Sequence, residues 1–102
     1  MSFPEAIKIG NYTYKLEFVP LIIQSDGGAR LGEIDYPKEK ITIVESLSTK
    51  YRNLVIMHEI VHGLAAYRNI DLEEMGVDAL ADAILQLIQD NPDLMKAFMA
   101  ND

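Results

Sequence analysis

Cysteine is absent from this chain of 102 residues. That excludes a disulfide framework and any thiolate zinc site, and it fits a reducing compartment. Histidine is scarce: His58 and His62 are the only two. Positive charge is also short. Nine Lys and Arg stand against sixteen Asp and Glu, for a formal net charge of −7. An acidic chain argues against nucleic acid as a direct partner but is compatible with a basic polypeptide, such as a DNA-binding protein. No apolar run is long enough to span a membrane, and Met1-Ser2-Phe3-Pro4-Glu5 lacks the basic-then-apolar pattern of a signal peptide. A cytoplasmic protein without a membrane partner is therefore expected. Internal repeats, low-complexity runs and dividing linkers are missing too. What remains is 49% apolar and 25% charged, the balance of a folded globular domain, and one domain over residues 1–102 is expected.

Ala6-Ile7-Lys8-Ile9 and Tyr12 to Val19 alternate apolar and polar residues around Gly10-Asn11, which reads as a hairpin with a two-residue turn. Pro20 ends the second strand or starts a bend, and Leu21-Ile22-Ile23 is a weaker continuation. Ser25-Asp26-Gly27-Gly28 reads as a loop. Leu31 to Tyr36 and Lys40 to Val44 read as an antiparallel pair about Pro37-Lys38-Glu39. The expected fold is α+β: a small antiparallel sheet, then a helical hairpin. Ser46, Ser48 and Thr49 are candidate N-caps for a helix over about Lys50 to Arg68. Its apolar residues run almost all round, so it should be buried between sheet and helix. Gly63 should let another backbone or a ligand approach, and Asn69 suits a left-handed helix end. A second helix is expected from Asp71 to about Asp90, with Leu72, Met75, Leu80, Ile84, Leu87 and Ile88 as its core stripe. A short third helix should begin at Pro92, capped by Asn91, with Leu94, Met95, Phe98 and Met99 packing back.

The chemistry concentrates in His58-Glu59-Ile60-Val61-His62. Two histidines four apart leave one helix face a turn apart, so two ring nitrogens can reach one zinc ion. Glu59 lies beside them, where a carboxylate can deprotonate water without ligating the metal. A chance match in a chain this short is about a few in a thousand, which outweighs an apolar helix carrying two histidines by accident. A hydrolytic zinc takes three protein ligands. No third histidine and no cysteine exists, so the third must be Asp or Glu. In an antiparallel helix pair turning near 68–70, Glu74 faces His62 and Asp78 faces His58. Glu74, with the longer reach, is favoured as ligand. Asp78 is the alternative, or else accepts the other ring N–H of a ligating histidine. Glu74 also has a bland reading: Asp71-Leu72-Glu73-Glu74 fits a capping box. Tyr36, Tyr51, Tyr67 and Arg68 are candidates, by type only, for polarising a scissile carbonyl. Leu31–Tyr36 or Lys40–Val44 would supply a sheet edge for a substrate strand.

His58-Glu59-Ile60-Val61-His62 followed by Glu74-Met75-Gly76-Val77-Asp78-Ala79-Leu80-Ala81 resembles the ImmA/IrrE family of metallopeptidases. That family's pattern is HExxH, then a glutamate ligand in an E-x-x-A-N/D-x-F-A stretch on the following helix. The match covers about Leu54 to Leu85, and the chain is similar to small phage- or prophage-encoded members. The resemblance implies a minimal zincin of gluzincin type. His58, His62 and Glu74 would be the zinc ligands and Glu59 the base. The activity would be hydrolysis of peptide bonds in a protein substrate, and some members cleave the repressor of a mobile element or stress regulon. Two rivals stand beside the enzyme. One is a module of the same ancestry that binds a regulator protein without cutting it. The other is a phage structural protein with a fortuitous motif. An intact Glu59 favours the enzyme, because a structural zinc site needs no base. Oligomeric state is not legible.

Overall fold

The computed structural model describes residues 3–23 and 27–100. Met1 and Ser2, and the Ser25 and Asp26 of the expected loop, lie outside them. The fold is α+β: a small sheet followed by three helices. β1 (Ala6–Ile9) and β2 (Tyr12–Val19) form the expected hairpin, with Ile9 opposite Tyr12. Gly10 has φ +60° and Asn11 does not share it. Glycine at the first central position is what a type II′ turn requires, and that turn matches the strand twist.

Strands β5 (Gly32–Asp35) and β6 (Lys40–Val44) pair antiparallel as expected. The sheet as a whole differs from the expectation of an antiparallel one. β6 lies between β5 and β2 in the order β1-β2-β6-β5, and it runs parallel to β2. A parallel pair needs a crossover of a dozen or more residues, and the stretch 20–39 supplies it. Ile22–Ile23 does not continue β2. It forms β3, which pairs with β4 (Ala29–Arg30) in a separate two-stranded ribbon. Because β6 is paired on both sides, Ile41 and Ile43 are completely buried. The open edge beside the helices is β5.

Helix α1 (Thr49–Arg68) is capped by Ser48, whose side chain accepts from the Tyr51 N–H at 3.4 Å. It closes on Asn69 in the left-handed conformation. Two apolar faces explain its near-continuous apolar sequence. Val55 and Ile56 join Ile9, Tyr14, Leu16, Ile41 and Ile43 over the sheet. Val61 meets Val77 and Ala81 of α2 (Glu74–Asp90). Gly63 allows a close approach, but of side chains rather than backbone or ligand. A Cβ there would meet Ile9 Cδ1 at 2.7 Å and Ile34 Cδ1 at 3.1 Å.

Helix α2 begins at Glu74, three residues later than expected, and Glu73 caps it without a side-chain bond. Antiparallel helices pack about 8–10 Å apart, and Ile70–Glu73 are spent crossing that gap, so the Asp71–Glu74 capping box does not form. The core face of α2 is Val77, Ala81 and Ile84, with Leu72 tucked in from the connection. Of the expected stripe only Leu72 and Ile84 pack inward: Met75 is 80% exposed, and Leu80, Leu87 and Ile88 are exposed as well. α3 (Pro92–Met99) starts at Pro92 as expected. It does not pack back, for Phe98 and Met99 are 74% and 79% exposed. No helix of the described residues is long and apolar enough to cross a membrane.

The two tight glycines of the sheet–helix seam should respond differently to alanine. A Cβ on Gly32 would meet Val55 Cγ1 at 2.6 Å, and a helical valine has one strongly preferred rotamer. Gly32→Ala should therefore lose about 1–3 kcal/mol by urea unfolding. Gly63→Ala should lie within about 1 kcal/mol of the parent, because isoleucine tips can move and the helix gains propensity.

Candidate metal centre

Both histidines leave α1 toward α2. Their Nε2 atoms are 3.2 Å apart, with the rings edge to face. Glu74, the first residue of α2, reaches both: Oε1 lies 2.7 Å from His58 Nε2 and Oε2 lies 3.4 Å from His62 Nε2. Asp78, one turn on, places Oδ1 2.8 Å from His58 Nδ1. His58 is thus held between two carboxylates. It satisfies both as an imidazolium with two N–H donors, or as the Nδ1–H tautomer with a cation at Nε2. In the second case Asp78 fixes the tautomer and orients the ring. His58, His62 and Glu74 each offer one donor atom to a common point and can hold a metal ion. Asp78 touches His58 through the nitrogen that faces away from that point.

Glu59 sits beside this group and is the one buried charged residue of the described chain, 7% exposed. Burial pushes its carboxyl up to about 7; the charges of His58 and Arg30 oppose that rise, and those of Glu74 and Glu33 add to it. A carboxyl poised near neutrality suits proton transfer. A cation at the neighbouring donors would draw it down again.

These groups line a cleft of about 750 Å³ between β5, α1 and α2. Of the four side chains named by type, Tyr36 and Tyr51 border the cleft. The Tyr36 hydroxyl donates to the His62 carbonyl at 3.3 Å. Desolvation, then the neighbouring Tyr14 and Glu59, raise its pKa, so it stays a protonated donor at neutral pH. Tyr67 and Arg68 do not border the cleft. Tyr67 stands edge-on to Tyr12, and Arg68 lies 5.9 Å over the Tyr67 ring. The edge strand in reach is β5, within the expected Leu31–Tyr36; Lys40–Val44 is closed off on both sides. Sequence reasoning missed Arg30, which borders the cleft from β4. No motif marks it, since a lone arginine in a two-residue strand carries no spacing signal.

No family model, curated protein or solved structure matches this chain.

The raised Glu59 carboxyl has a measurable consequence in metal-free protein. Its folded value, about 7, exceeds its ordinary value of 4.5. The folded state then binds the extra proton between those limits, so stability falls as pH rises. The contribution is fully present below pH 4.5 and lost as pH rises through 7. Over that window it amounts to about 3 kcal/mol. Unfolding titrations in chelator should show this loss in the parent and not in Glu59→Gln.

Proposed function

We propose that the chain is a zinc-dependent endopeptidase of the ImmA/IrrE family. It would act in the cytoplasm on a protein substrate, and the repressor of a mobile element is the class that the family resemblance suggests. The observation that carries this reading is the meeting of His58, His62 and Glu74 beside a buried Glu59, at the foot of a cleft with an open strand edge. Donor atoms on one tetrahedral zinc lie about 3.3 Å apart, given zinc–ligand distances of about 2.0–2.1 Å. The separations of 3.2 and 3.4 Å fit that edge. The 2.7 Å between His58 Nε2 and Glu74 Oε1 is shorter, and a modest turn of the exposed Glu74 side chain would open it.

His58, His62 and Glu74 would hold the ion, and Asp78 would keep the His58 ring in place through its Nδ1–H. When bound, zinc supplies Lewis acidity, polarising a carbonyl and making water acidic enough to lose a proton near pH 7. Glu59 takes that proton as the water attacks, then delivers it to the leaving amine. Its burial excludes bulk water from the carboxylate. Tyr36, at the far end of β5, gives up its long bond to the His62 carbonyl and donates to the oxygen on which charge develops. The β5 edge holds the substrate backbone as an added strand.

The alternative, a module that binds a regulator without cutting it, keeps the metal group but has no use for Glu59. Incubation with the repressor encoded beside the gene, and with a peptide library read by mass spectrometry, separates the two. Zinc-dependent cleavage that a chelator stops is the expected result, and binding without cleavage would favour the alternative. Glu59→Gln should retain zinc and fold while losing hydrolysis.

The ligand roles separate by affinity. Glu74→Gln should lose zinc at micromolar concentration with its helix content unchanged. Asp78→Asn should keep zinc with about 10–100-fold weaker affinity. Calorimetric titration reads both, and normal binding by Glu74→Gln together with loss in Asp78→Asn would reverse the two assignments.

A further inference from the structure

The cleft is acidic with one exception. Glu59, Glu74 and Asp78 border it, and Arg30 is the one Lys or Arg among the described residues that border it. Arg30 is exposed, and no carboxylate of the described residues forms an ion pair with it. Its place along the cleft is set by the packing of β5 on α1. Gly32 lies against Val55, and the Tyr36 hydroxyl reaches the His62 carbonyl. Gly32 is therefore at the Val55 end of the cleft and Tyr36 at the His62 end, and Arg30, two residues before Gly32, enters from the Val55 end. From Gly32 to Tyr36 an extended chain covers about 13 Å, which is room for three or four residues of a polypeptide laid along the edge.

We propose that Arg30 determines specificity in this cleft: its guanidinium receives a substrate carboxylate, so the protein selects a segment with Asp or Glu two or three positions from the bond at the metal group. The choice of ligand follows from chemistry. A guanidinium fork matches a carboxylate with two parallel hydrogen bonds. Selection follows from the surroundings. Away from Arg30 and from the ion itself, a carboxylate in the cleft would meet Glu59 or Asp78 with no counter-charge, so the register that reaches Arg30 is favoured over the others. Arg30 thereby sets where along the chain the segment is held. A protein that is basic overall still suits the −7 charge of the chain, provided that an acidic residue lies next to the recognised bond. The proposal rests on the peptidase reading for the cut but not for the binding.

The test uses zinc-loaded Glu59→Gln protein, so that binding is read without hydrolysis. The probes are fluorescein-labelled twelve-residue peptides of neutral sequence. One Glu is scanned along one set, and Gln or Lys takes its place in two others. Anisotropy should find one Glu register bound about tenfold more tightly than its Gln counterpart. Adding Arg30→Gln should abolish that difference, Arg30→Lys should keep part of it, and Arg30→Glu should transfer the preference to the Lys set. With the parent enzyme, the Glu-to-Gln difference should fall on KM. Equal binding of the Glu and Gln sets, a preference that survives Arg30→Gln, or no binding of any set overturns the proposal. Cleavage by the parent without charge preference sinks this inference and leaves the peptidase reading standing. An Arg30-dependent Glu preference with no cleavage by the parent does the reverse.

Discussion

The contact of Val61 with Val77 and Ala81 is the constraint on which the metal group depends. Val77 and Ala81 are one turn apart on α2, and Glu74 and Asp78 form the adjacent row. On α1, His58 and His62 flank Val61 in the same manner. Burying the small apolar row fixes the rotation of each helix about its axis, and the polar rows are carried to the rim of the contact. Full burial of a valine contributes about 1.5–3 kcal/mol, enough to hold two exposed carboxylates against two imidazoles without help from their own weak, solvated attraction.

The same helix serves the sheet through its other face, so the site lies on the seam between two apolar clusters. That position explains how Glu59 can be buried while its neighbours are not. It borders the cleft at 7% exposure, within reach of the charges of Arg30 and Glu33 on the strand side and of Glu74 on α2. The fold accepts a destabilising carboxyl there, and the cost is borne in the place where a shifted proton affinity is useful. Gly32 and Gly63 make the seam tight enough for this, since each lacks the Cβ that would hold β5 or β1 away from α1.

Local features were legible in the sequence because their causes are local. The Gly10 turn, the Ser48 cap, the left-handed Asn69 and Pro92 at a helix start each follow from one or two residues. The Glu74 and Asp78 juxtaposition was legible for a related reason: a short connection between antiparallel helices fixes which numbers face each other. Strand order was not. Each hairpin announces itself, but nothing in either states that β6 will lie parallel against β2. The length of the crossover allows that arrangement without demanding it. Apolar periodicity also misled on α2, because it weights large side chains, whereas the contact is made by Val77 and Ala81, small enough to let α1 come close. Leu80, Leu87 and Ile88 share the stripe and stay exposed. Arg30 borders the cleft from β4, two residues before β5, and no pattern of residue types announces that.

Among the described residues, strand β5 ends the sheet with no strand paired to its outer side, and it is only four residues long. Ile34 turns inward against α1, and Glu33 and Asp35 alternate with it on the other face. If two copies met edge to edge, these acids would confront one another across the new pair, in a molecule that already repels its own kind. An open edge is a standing invitation to polymerise. Here the invitation is written in charge, so that it is refused by an identical chain and left open to a foreign one.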